Sequence, residues 1–290
     1  MALIKKQTLQ GTFYSYLSAG IGLITQGYLI PNYFSTDQNG LISILLMGAM
    51  LLPLLANFGF NGAGTMFFPY FRDKPTTNHG YLFLALAVSL VGFCITVLLL
   101  FVFKQVIIND YEQKSKLFVT YYYYLIPLVA SMLIFNVFDV YARLHYDSVT
   151  GTFLSQFLLR FNNLLATLLY VFGWIDFRQF MIIWTIGFSV PTFIIIAKAI
   201  REDTFSLRPD FGFLRQSKLL LPMLKFCSFS VVASMSSQVV LYIDKIMITD
   251  LLDLSAVGVY STAALFGTVI AMPMVVMQKI AGTIVADAWK

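Results

Sequence analysis

The sequence predicts an all-α polytopic membrane protein of about eight transmembrane helices, and three observations carry that expectation. Of its 290 residues 59% are hydrophobic and only 11% charged, where an ordinary soluble domain has about a quarter of its residues charged. The mean hydropathy is +0.79. Apolar runs of roughly 18 residues or more recur along the chain, enough to cross a hydrocarbon core of about 30 Å as a helix. These runs do not alternate in polarity as the short strands of a membrane barrel do.

Eight such runs can be read, at residues 12–33, 41–68, 80–103, 119–142, 153–173, 180–197, 219–249 and 257–286. The first follows Lys5-Lys6 and could be mistaken for a signal peptide. It carries Tyr14, Ser15, Tyr16, Ser18, Thr25 and Gln26 and lacks a small-residue cleavage site, so a retained helix is expected. Cys94 and Cys227 fall in different spans, which points to neither a disulfide framework nor a metal site.

The basic residues give the orientation. The net charge of +5 could be read as nucleic-acid binding, but its distribution argues otherwise. With the N-terminus inside, thirteen of the nineteen Lys and Arg lie on the cytoplasmic side, from Lys5 and Lys6 through Arg143 and Arg215 to Lys290. Four lie outside (Lys104, Lys114, Lys116, Arg178), and Arg160 and Lys245 remain within spans. Positive-inside bias accounts for the basicity, and no nucleic-acid partner is expected. Tyr121 to Tyr124 and Trp174 fall at predicted outer ends, where amphipathic rings prefer the headgroup zone. A sugar-stacking platform is the other reading of the tyrosine run.

The longest loop, 201–218, is basic and carries the turn residues Pro209, Asp210 and Gly212. It divides residues 1–200, a six-helix lobe, from residues 219–290, the first two helices of a second lobe. The two parts share a plan. From Phe13 to Gly40 is 27 residues and from there to Pro53 is 13; from Phe229 to Gly258 is 29 and on to Pro273 is 15. Six spans separate the starts of the two pairs, so both pairs enter the membrane in the same direction. Such a parallel repeat, related by an axis along the membrane normal, is a pattern of secondary transporters. The chain is accordingly expected to be a complete first lobe and the start of a second within a longer transporter; the alternative is a natural eight-helix protein working with a partner or as an oligomer.

At this point a resemblance enters. Residues 5–71, which begin KKQTLQGTFYSYLSAG and end TMFFPYF, resemble the first two helices of the Wzx-type polysaccharide flippases, of the superfamily that includes lipid II flippases and multidrug exporters of the MATE type. Residues 242–289, beginning YIDKIMITDLLDLSAVGVY, are similar to that family's helix 7 and 8 region, where an Asp-basic pair precedes a loop ending Val-Gly-x-Tyr. The resemblance implies two six-helix lobes plus two further helices. It also implies transport of a lipid-linked oligosaccharide, a polyprenyl-pyrophosphate-linked repeat unit, across the inner (cytoplasmic) membrane for surface polysaccharide or lipopolysaccharide O-antigen biosynthesis. Other polysaccharide assembly proteins would then be partners, beside the bilayer itself.

Charges within spans are the candidate functional residues, since a Lys, Arg or Asp at the bilayer centre costs about 2.5 to 3.5 kcal/mol on insertion scales and usually faces the bundle interior or a wet cavity. Asp244 and Lys245 are adjacent and therefore about 100° apart on a helix. One is expected to face a cavity and the other to reach the interface; a structural ion pair is the competing reading. Gln156, Arg160 and Asn163 recur at i, i+4, i+7 and form one polar stripe, with Arg160 suited to bind phosphate oxygens through two parallel hydrogen bonds. Its competing role is as partner of a carboxylate on a neighbouring helix, Asp139 being the obvious one, although Asp139 and Arg143 are also i, i+4 neighbours able to pair with each other. Gln26, Asn57 and Asn61 complete the cavity candidates, the last two amid Gly59, Gly62 and Gly64, which permit close helix approach or local unwinding. Pro53, Pro127, Pro191 and Pro273 are the hinge candidates for alternating access.

Other classes fare less well. The two histidines, His79 and His145, fall at the ends of different spans, and the chain has neither HExxH nor GxSxG. No catalysis, cofactor or metal is expected, which leaves a membrane glycan-processing enzyme as a distant alternative. A channel favours rings of like residues rather than single scattered charges. A MATE-type cation-coupled multidrug exporter is the nearer alternative and should want carboxylates in its cavity, whereas a flippase for an anionic carrier should want cations such as Arg160 and Lys245.

Overall fold

The computed structural model describes residues 2–71, 78–105, 116–201, 205, 207–210, 212–213 and 219–267. Pro273 and the remainder of the last expected span lie outside these residues. Among the described residues every regular element is helical. Among the same residues five helices are long and apolar enough to cross a membrane.

In chain order, α1 runs over Ala2–Gly22, widens into a π-helical stretch over Leu23–Leu29 and ends with the turn Ile30–Tyr33. Helix α2 is Thr36–Ala56, α3 is Phe60–Phe71, α4 is Tyr81–Val102 and α5 is Lys116–Leu144. Helix α6 starts at Val149–Thr152, widens over the π stretch Phe153–Leu158 and continues as Leu159–Val171. Then come α7, Phe177–Arg201, α8, Leu220–Leu251, and α9, Leu254–Gly267.

Several expected spans therefore differ in form. Residues 41–68 do not make one helix: the chain breaks between Ala56 and Phe60, where Phe58 and Gly59 take left-handed angles, φ 50° and 72°. Asn57 manages the break from both sides. Its Oδ1 accepts the Asn61 backbone N–H at 2.7 Å, starting α3, and its Nδ2 donates to Ser89 Oγ of α4 at 3.0 Å. Residues 12–33 and 153–173 are interrupted by their π turns and fall outside the five long apolar helices, and the described part of the eighth span, Leu254–Gly267, is a shorter apolar helix.

The local chemistry explains the boundaries. Ser35 caps α2 in a reciprocal box, its Oγ accepting from Gln38 N at 3.2 Å while Gln38 Oε1 accepts from Ser35 N at 3.0 Å. Pro53 sits inside α2, three residues before its end, and Pro127 sits in the first turn after the Tyr122–Tyr124 3-10 segment of α5. Pro191 lies within α7; lacking an N–H, it cannot bond the carbonyl of Gly187, and Asn162 Nδ2 of α6 donates to that oxygen at 3.2 Å.

Helix α5 is the hub, packed on α2, α3, α4 and α7. Its tyrosine run is divided: Tyr122 is buried and donates from its hydroxyl to Leu100 O at 2.8 Å, whereas Tyr123 is exposed under the Lys104 ammonium. Two apolar clusters fill the bundle. One centres on Phe34, Leu41, Leu45, Leu128 and Trp184, the other on Phe68, Phe71, Tyr81 and Phe138.

The turns sort to opposite ends. At one end Ser255 Oγ of α9 donates to Thr36 Oγ1 at 2.6 Å, and Phe34 packs on Tyr170 and Phe177. At the other, Asn78 Nδ2 lies 3.0 Å from Tyr141 Oη and 3.2 Å from His145 Nε2, and Lys198 pairs with Asp147. His79 meets residues of the 201–218 segment there, with Nδ1 2.9 Å from Asp210 Oδ2 and its ring stacked on Phe213. That segment is therefore docked on the α3–α4 turn at Asp210 and Phe213.

Candidate functional site

A cavity of about 310 Å³ opens among α1, α2, α6, α8 and α9, so it is walled by helices from both sides of the 201–218 segment. Five residues of the expected set line it: Gln26, Gln156, Arg160, Asn163 and Lys245. The i, i+4, i+7 spacing on α6 places its three members on one wall, and Gln26 approaches from the π stretch of α1. Asn39, Ser43, Ser155, Tyr242, Ser261 and Thr262 add further polar groups.

Among the described residues neither Arg160 nor Lys245 forms an ion pair, and none of the residues lining the cavity is a carboxylate. Arg160 instead donates from Nη1 to the backbone carbonyl of Ser18 on α1, at 3.0 Å. The Lys245 ammonium lies 5.9 Å from the centre of the Tyr242 ring, at the outer limit of a cation–π contact. Two more polar atoms at the cavity, Asn163 Oδ1 and Ser261 Oγ, are buried and have no hydrogen-bond partner among the described residues, an arrangement that folded proteins seldom leave without a reason.

The remaining candidates sit elsewhere. Asp244 turns away from the cavity and accepts a hydrogen bond from Tyr260 Oη of α9 at 2.6 Å. The adjacent Asp-Lys pair thus divides, Lys245 to the cavity and Asp244 to the α8–α9 contact, as a 100° separation requires. Asp139 pairs at 2.9 Å with Arg143, one turn along α5. It is also the side chain against which Gly151 of α6 packs, where a Cβ would collide with its carboxylate. Asn57 and Asn61 belong to the α2–α3 break described above. Of the neighbouring glycines, Gly62 lies against Ser230 of α8 and Gly64 against Tyr81.

Sequence reasoning missed Asn39 and Thr262. Asn39 reads as a turn residue, yet it lies in the first helical turn of α2, and its Nδ2 donates to Gly258 O at 2.9 Å and to Thr262 Oγ1 at 3.0 Å. These contacts tie α2 to α9 beside the cavity. The helices approach closely because each contributes a glycine: a Cβ on Gly40 would collide with Leu254 O, and one on Gly258 would collide with Thr36 O. Each glycine faces the carbonyl four residues before the other, a reciprocal contact between the positions that mark the sequence repeat. A second recess of about 390 Å³ adjoins this seam and shares Asn39 and Thr262 with the polar cavity. Its other walls include Pro31, Phe34, Val259, Ala263 and Phe266.

Compared with known proteins, the chain matches no family model, no curated protein and no solved structure.

Proposed function

We propose that this chain belongs to a membrane transporter that binds the anionic head of a lipid-linked oligosaccharide in the cavity and passes it across the bilayer, the activity of the Wzx-type flippases that residues 5–71 and 242–289 resemble. One observation carries the reading: two cations at the wall of an internal cavity whose described lining holds no carboxylate. Ionised groups held away from water are costly unless paired, so the site favours a ligand that brings negative charge. A guanidinium and an ammonium lining one cavity suit a pyrophosphate, since Arg can bind phosphate oxygens through a fork while Lys supplies a point charge. The amides and hydroxyls around them match sugar hydroxyls, with Asn163 Oδ1 offering an acceptor that no described residue occupies. The adjoining apolar recess gives the same seam an amphiphilic character, as a lipid-borne substrate requires.

A cation exporter draws no support from this arrangement, because both carboxylates once considered for the cavity have partners outside it. The test is Arg160→Ala and Lys245→Ala in cells whose surface polysaccharide depends on the natural gene product. Each substitution should cut surface polysaccharide more than about tenfold, the effect of removing one charge-assisted contact, with membrane levels of the protein unchanged. Normal polysaccharide in either variant, or export of cationic dyes without any effect on glycan, overturns the reading.

A further inference from the structure

Gly22 has no backbone reason to be glycine. Its angles are ordinary α-helical, φ −61° and ψ −40°, and glycine inside a helix costs about 1 kcal/mol relative to alanine. The reason lies on α6. A Cβ at Gly22 would stand 2.9 Å from Arg160 Nη1, and the next nearest atoms, Cζ at 3.6 Å and Cδ at 3.7 Å, belong to the same side chain. Glycine is the notch through which the guanidinium crosses α1 to reach Ser18 O, one turn earlier. Immediately beyond the notch α1 changes from α to π geometry, over Leu23–Leu29, a form of helix that recurs at functional sites.

We propose that Arg160 is a switch whose Nη1 is contested by the Ser18 carbonyl and by an anionic group in the cavity, so that anion binding releases α1 from α6. Gly22 is the positioning residue that lets the carbonyl compete. The inference rests on the cavity reading above. A phosphate oxygen is the stronger acceptor, since it meets the guanidinium with a full opposite charge and can take two parallel hydrogen bonds, whereas the carbonyl offers a dipole and takes one. The exchange therefore runs toward the anion, and α1 gives way at its π stretch. Linkage makes the effect reciprocal: whatever weakens the hold of Ser18 on Arg160 tightens anion binding by the same factor.

The experiment uses the full chain in nanodiscs with inorganic pyrophosphate as probe. Nitroxides replace the exposed Tyr28 of α1 and Phe172, which follows the last residue of α6, and their separation is read with and without pyrophosphate. In the otherwise unaltered protein pyrophosphate should shift the distance distribution. Gly22→Leu, which fills the notch and favours the helix on its own account, should show the shifted distribution without ligand and bind pyrophosphate about fivefold more tightly; Gly22→Ala should move the same way by less, and carries the comparison if the larger side chain prevents folding. Arg160→Met should show the shifted distribution too, and adding Gly22→Leu to it should change nothing further, which separates a positioning role from plain helix packing. Unchanged distance and affinity in the Gly22 variants, or an equal effect of Gly22→Leu in the Arg160→Met background, overturns the switch and leaves the cavity reading standing. Failure of pyrophosphate to bind any variant overturns the cavity reading and the competition together.

Discussion

Asp147, in the turn between α5 and α6, shows how one side chain joins helix ends. Its Oδ1 accepts the Thr150 N–H at 3.1 Å, capping the first turn of α6, while Oδ2 takes the ammonium of Lys198 on α7. Burial alone would raise this carboxyl, but the hydrogen bonds from Lys198 and Thr150 outweigh it and hold the group below the usual carboxylate range. A depressed folded-state value means that the stabilisation is fully present above the ordinary value, about pH 4, and fades as the pH falls through the folded one. Asp147→Asn should therefore lower stability by about 0.5 to 1 kcal/mol at neutral pH, a small figure because both partners are partly exposed. Thermal unfolding in detergent should show the gap between the two proteins closing on acidification, and a gap that stays constant would remove the charge from the explanation. The same scale shows what single residues disclose in advance. The spacing of Gln156, Arg160 and Asn163 fixes a shared face wherever the helix lies, and these three meet at one cavity wall. The partner of Arg160 was not legible, because it is a backbone carbonyl, and every residue of the chain has one.

Elements were legible where composition decides them and obscure where backbone geometry does. Residues 119–142 and 180–197 fall within α5 and α7, and both helices are long and apolar enough to cross a membrane. The π stretches of α1 and α6 left no trace in the hydrophobic pattern, since one extra residue per turn shifts a face without changing its chemistry. The break after α2 was half visible: the cluster of Gly59, Gly62 and Gly64 marks close approach, but only the fold shows that of these three glycines Gly59 takes the left-handed conformation, with Phe58 before it. Two constraints meet at that position. An alanine there would adopt φ of 72°, and its Cβ would collide with the Cys227 carbonyl of α8. Gly59→Ala is expected to cost about 2 kcal/mol or more, measured as a fall in thermal stability. Asn57→Ala, which removes the bond to Ser89 and the start of α3 together, should cost about 1 to 3 kcal/mol. If Gly59→Ala proved neutral, the α3–α8 contact would have to be looser than the structure has it.

On the scale of the whole molecule, the cavity is bounded at one end by the seam of α2 and α9. On the proposed function, an oligosaccharide head too large for 310 Å³ requires that seam to part, because among the described residues α2 and α9 are packed glycine to carbonyl there. The seam is also made of groups that can separate at modest cost: the Ser255–Thr36 and Asn39–Thr262 bonds join neutral side chains, which water can replace. If the chain works as proposed, separation should thus be part of its transport cycle, and it can be prevented at a chosen point. With Ser255 Oγ 2.6 Å from Thr36 Oγ1, the pair Thr36→Cys and Ser255→Cys should form a disulfide on oxidation, in a background where Cys94 and Cys227 are replaced by serine. Cross-linked cells should lose surface polysaccharide, and a reductant should restore it, whereas either single cysteine should have no such effect. Undiminished polysaccharide from fully cross-linked protein would mean that the seam is a fixed strut, and the path across the membrane would have to be sought on the other side of Arg160.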